Sequence, residues 1–170
     1  ARDIRVYVET VGRLATDAVV PLDAGAAIDE IARGLDEIEP LWAGSPGTSA
    51  DDSITFDALR QELAAARGAA RALRDGAIEA RSEFDAARVS AAILGACKAL
   101  VPIQYTRAGE FGHDLALDVP ILPGLRPAKP LVAMSDDELW GSSHQLRREL
   151  NRVRAGVRQA TKALQSGFTG

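Results

Sequence analysis

G-R-L-A-T-D-A-V-V-P-L-D, residues Gly12 to Asp23, decides how the chain is read. It joins the tail of one amphipathic helix, a proline corner and the cap of a second helix. Upstream, Ile4, Val8, Val11, Leu14, Ala15 and Ala18 recur at helical spacing and predict a helix over residues 3–19 with one apolar stripe. Pro21 stops it, because proline supplies no N–H and clashes with the preceding turn. Asp23 can then accept the free N–H groups of a following helix. That helix carries Ile28, Ile31, Leu35 and Ile38 on one face and is expected to end before Pro40.

Beyond a Gly/Ser/Asp loop at 44–53, Phe56, Leu59, Leu63, Ala66, Ala70, Leu73 and Ala77 alternate spacings of three and four. This is an a/d seam, and its alanines allow a partner helix to come close. Arg60, Glu62, Arg67, Arg71, Arg74 and Asp75 occupy the opposite face and are expected to be solvated. One helix from 55 to 101 would be too long for a compact domain, so a turn is expected between Glu79 and Ala86. The next helix is expected to point Ala87, Ser90, Ile93, Leu94, Cys97 and Leu100 inward and to stop at Pro102.

Residues 102–135 hold five prolines and three glycines and show no helical period. The stretch is too apolar to be a disordered linker. It is expected to be an ordered excursion, with a short extended pair, laid over the helices or over another domain. Ser135-Asp136-Asp137-Glu138 is a capping box that opens the last helix. Leu139, Leu146, Leu150, Val153, Val157, Ala160 and Leu164 form a second a/d seam. Together these segments predict an all-α domain over 1–170. Its expected form is an antiparallel four-helix bundle with a bent first helix and a long proline-rich excursion before the last helix.

Composition narrows the partners. The 170 residues are 46% apolar and only 5% aromatic, and the net charge is -4 with a pI near 5.2. An acidic chain lacks the cations that displace counterions from phosphate, which argues against nucleic acid. Residues 1–43 set four arginines against nine acids, whereas 136–170 set six Lys/Arg against four; the second run reads as a solvated helix face. No apolar run in the sequence is judged to approach the ~20 residues of a bilayer span. The single cysteine, Cys97, cannot form an internal disulfide and reads as a buried, inert thiol. The chain starts at Ala1, which is taken as the mark of a fragment or processed product.

No catalytic constellation emerges. Two histidines, His113 and His144, and one cysteine fall short of a protein zinc site. Glu110, His113 and Asp114 read as a surface loop cluster. Ser142, Ser143 and His144 are adjacent in sequence but point different ways on a helix. G-S-P-G at 44–47 reads as an ordinary turn rather than a phosphate loop. The expectation for this chain is therefore no catalysis, no cofactor and no metal. Val119, Pro120, Ile121, Leu122, Pro123 and Leu125 are apolar, proline-fixed and not needed by the seams, so they are expected to form a docking surface.

Three features resemble the transferrin-receptor-like dimerisation domain, the C-terminal helical domain of glutamate-carboxypeptidase-like zinc peptidases. They are the corner L-A-T-D-A-V-V-P-L-D, the order of parts with S-I-T-F-D-A-L opening a long helix, and the closing D-E-L-W before a long Ala/Val/Arg helix. The resemblance implies a four-helix bundle without chemistry of its own. It implies packing on a separate peptidase domain, which would hold the zinc, and a contribution to a homodimer interface. An extracellular or cell-envelope parent goes with it. Glutamate-specific members carry a Lys-Tyr pair before the last helix; here Lys129 is followed by Pro130, so glutamate recognition is not expected. The alternative reading is a self-standing bundle that senses a ligand or binds a protein partner.

Overall fold

Asp23 caps a helix with four fully buried side chains. Its carboxylate accepts from the Ala26 N–H at 3.0 Å, and Ile28, Ile31, Leu35 and Ile38 of that helix are all fully buried. The computed structural model describes residues 2–43, 55–78, 83–106 and 120–168. Its α-helices are α1 (Arg2–Thr16), α2 (Ala24–Ile38), α3 (Asp57–Ile78), α4 (Glu83–Tyr105) and α5 (Asp136–Ser166). Short 3₁₀ turns lie at Glu39–Trp42, Pro123–Leu125 and Leu131–Ala133, and no strand occurs among the described residues. The fold is all-α, as its periodicity predicts. The extended pair expected in the excursion is not found at 120–135, and the 44–53 loop and the 79–82 turn lie outside the described residues.

Side chains that meet across the helices set their directions. Arg60, Arg67 and Arg74 of α3 pair with Asp36, Asp29 and Asp23 in descending order, so α2 and α3 run opposite ways. Gly95 faces Ala163, and Gly156 faces Ile103, so α4 and α5 also run opposite ways. Glu62 pairs with Arg154 and Arg158, and Leu73 meets Gly167, so α3 and α5 run the same way. Helices α2 to α5 close around one shared apolar core.

The seams are buried over most of their length: Phe56 just before α3 and Leu59, Leu63, Ala66, Ala70 and Leu73 on it, and on α5 Leu146, Leu150, Val153, Val157, Ala160 and Leu164, whereas Leu139 is half-buried and the side chain of Ala77 lies outside those described. Each buried Leu or Val removes enough apolar surface to contribute ~1.5–3 kcal/mol before chain entropy is counted. Ser135 and Glu138 make the capping box in both directions.

Three expectations are corrected. The leading helix is not one bent rod. It is two helices parted by residues 17–23, and the stripe of α1 does not enter the core. Pro102 does not end α4, which continues to Tyr105 because Leu100, Ile103 and Gln104 remain buried on its inner side. So close to the helix end, proline sacrifices one backbone bond. Arg152 donates to the carbonyls of Pro102 and Thr106 at 3.1 and 2.7 Å, a cation placed where the α4 dipole is negative. Finally, the inward face of α4 is turned from the one expected. Ala86, Val89, Ala92, Ala96, Ala99 and Ile103 are buried, while Ala87 and Leu94 are exposed and Ser90, Ile93 and Cys97 are half-buried.

Candidate functional site

The sequence predicts a docking surface in the excursion. Its described part instead closes one end of the core. Leu122 and Leu125 are 1% and 0% exposed, and Pro123 is also buried. Leu122 sits at φ 53°, a left-handed conformation that costs a branched side chain roughly 1 kcal/mol or more. Its N–H donates to the Gln104 carbonyl at 2.8 Å, and the Trp42 indole donates to the Leu125 carbonyl at 2.8 Å. Arg126 ties the segment down by donating to the Ile121 carbonyl and to Glu37. Ile121 is half-buried against Gly34, where any added Cβ would collide with it. The docking expectation is corrected for Leu122, Pro123 and Leu125, because the chain's own helices cover them. Pro120 is exposed, and Val119 lies outside the described residues.

The polar groups singled out for chemistry do not converge. The Ser142 hydroxyl faces Met134 sulfur and the Ser143 hydroxyl donates to the Leu139 carbonyl, so neither engages His144. His144 lies edge-on to Trp140 with ring centroids 4.2 Å apart. Glu110, His113 and Asp114 lie outside the described residues, among which no cluster of three metal-ligating side chains occurs. Lys129 donates to Glu138 at 2.8 Å. Burial pushes the Cys97 thiol up, with Asp23 adding to it, which keeps thiolate scarce.

Apolar surface left without a neighbour is the feature that stands out. On α1, Ile4, Tyr7, Val8, Val11 and Leu14 are 53–75% exposed, along one side of a 15-residue helix. A helix of that length is marginal in water unless its apolar face is covered. On α4, a second stripe runs opposite the buried one: Phe84, Ala87, Ala91, Leu94, Lys98, Val101 and Tyr105, at alternating spacings of three and four. Phe84, Leu94 and Val101 are 75%, 50% and 54% exposed. The alternation was legible in the sequence, but α4 is apolar nearly all round, so its spacing alone does not say which stripe faces in. By length and apolarity Phe84–Tyr105 could also cross a membrane, which corrects the judgement that no such run exists; 39% of it is buried by this fold.

The proline corner shelters a cavity of about 310 Å³. Ala70, Leu73, Ile93 and Leu164 give it an apolar floor, and Arg13 and Arg74 stand at its rim. Each guanidinium is engaged by a carboxylate, Arg13 by Asp17 at 3.2 Å and Arg74 by Asp23 at 2.7 Å.

Set against family models, curated proteins and solved structures, the chain matches none of them, so the likeness to the transferrin-receptor-like dimerisation domain rests on its sequence motifs alone.

Proposed function

We propose that the chain is a non-catalytic association domain, of the kind that packs on a zinc-peptidase-like domain and contributes to a homodimer interface. The observation that carries this reading is the pair of uncovered apolar stripes on α1 and α4. Contiguous exposed patches of this sort mark partner surfaces more often than chance. The order of helices and the Leu14–Asp23 corner support the peptidase-associated form of the reading.

Static light scattering across concentration tests it. Self-association is the expected result, weak if part of the interface belongs to a neighbouring domain. The elbow cavity favours a second reading, a ligand-sensing bundle. With Arg13, Asp23 and Arg74 beside Ala70, Leu73, Ile93 and Leu164, it suits a small molecule that carries both polar and apolar groups. A strict monomer whose melting temperature rises with such a ligand would favour that second reading. Stoichiometric zinc in the purified chain would contradict both.

A further inference from the structure

We infer that α1 of one copy lies along the outer stripe of α4 in a second copy, and reciprocally, so that two copies close by exchanging their first helices. The inference rests on the association reading and names the surfaces that would carry it.

Position comes first. The corner is tied to α4, since the Val20 N–H donates to the Ser90 hydroxyl at 3.0 Å, and the apolar stripe of α1, which ends a few residues before it, stays 53–75% exposed. Shape comes second. Ile4, Tyr7, Val11 and Leu14 repeat at spacings of three, four and three, matching the α4 stripe. The α1 stripe is bulky, whereas the α4 stripe is small toward its N-terminal end, at Ala87 and Ala91. Bulky side chains of α1 can seat over Ala87 and Ala91, whereas two α1 stripes would crowd.

Charge decides between the same choices. Lys98 interrupts the α4 stripe and has no ion-pair partner among the described residues. Pairing α4 in parallel with a second α4 would bring Lys98 against its own counterpart. Helix α1 instead offers Asp3, next to Ile4 at the stripe's edge.

Area then selects reciprocal exchange over a single contact. A helix of 15 residues runs ~22 Å at ~1.5 Å per residue and presents a face ~10 Å wide, so one α1–α4 contact covers ~220 Å² of each helix. Two reciprocal contacts total on the order of 900 Å², the scale of a weak or transient interface, and one contact reaches only half of that.

The test uses full-length chains in a Cys97→Ala background, with Val11→Cys in one and Leu94→Cys in the other, treated with a short bismaleimide. Both positions are exposed, and circular dichroism checks that helicity is kept. Covalent dimer in the mixture, and little with either variant alone, is the expected result. Crosslinking of Leu94→Cys alone would show α4 against α4 and overturn the inference, as would crosslinking of Val11→Cys alone. A chain bearing both cysteines that links to itself at high dilution would show α1 covering its own α4, and would also overturn it. Association without any of these crosslinks would overturn the exchange and leave the association reading standing. A monomer at every concentration would overturn both.

Discussion

Gly156 of α5 lies directly against Ile103 of α4: a Cβ at position 156 would stand 2.8 Å from Ile103 Cγ2 and 3.2 Å from the Ala99 carbonyl. The contact explains how α4 and α5 approach so closely, and why α4 turns its alanine side inward. Gly156→Ala should force the helices apart and cost ~1–3 kcal/mol by overpacking, despite alanine's better helix propensity. Gly141, on the same helix, has open space around it. Gly141→Ala should therefore gain up to ~1 kcal/mol. Urea unfolding of the two variants, with opposite shifts in midpoint, checks the pair.

Leu150 is buried in the α5 seam. Leu150→Asp places a carboxylate among Leu, Ile and Val side chains with no partner, a cost of several kcal/mol against a total stability of ~5–15. The variant should lose its cooperative thermal transition. A melt unchanged from the parent would refute the core assignment.

The Trp42 indole and the Leu125 carbonyl hold the excursion to the end of α2. Trp42→Phe keeps the ring contact but leaves that buried carbonyl without its donor. A loss of ~1–3 kcal/mol is expected. Amide exchange should quicken first over residues 120–126, ahead of the helical core.

Glu138 is held down to about 2 by Lys129 first and then by the backbone and hydroxyl of Ser135. Burial alone would raise Glu62, but hydrogen bonds from Arg154 and Arg158 outweigh it and leave it below the ordinary value. Both carboxylates bind protons more weakly folded than unfolded. Their contribution is therefore present above the ordinary value of 4.5 and is lost as pH falls below it, for Glu138 toward about 2. Melts of the parent and of Glu138→Gln should differ at pH 7 and converge near pH 2.

The ladder of Arg60, Arg67 and Arg74 against Asp36, Asp29 and Asp23 is largely solvent-exposed. Arg67→Ala should cost ~0.2–1 kcal/mol, less at high salt. The ladder aligns α2 with α3 more than it stabilises them. A loss well above that range in a urea titration would show a deeper role.

Much of the fold was legible because α2, α3 and α5 each have one apolar stripe and a charged back. Ile28 to Ile38, Phe56 to Leu73 and Leu146 to Leu164 could face only one way. Helix α4 has two apolar stripes, so its rotation was set by what the sequence pattern does not contain: the close approach of Gly156 and Gly95 to it and to α5. Pro102 misled because burial of Leu100 and Ile103 outweighs one missing hydrogen bond. Leu122 and Leu125 were spare by periodicity, yet they fill the end of the core that no helix seam reaches. The α1 stripe was legible as a stripe, but amphipathicity does not state whether the covering surface belongs to the same chain.

The most direct test of the central claim is amide hydrogen exchange on the full chain at low and high concentration. The account predicts that α2, α3 and α5 are protected in both, while residues 2–16 are unprotected when dilute and gain protection as copies associate. Strong protection of residues 2–16 at the lowest concentration, or none at the highest, would contradict it.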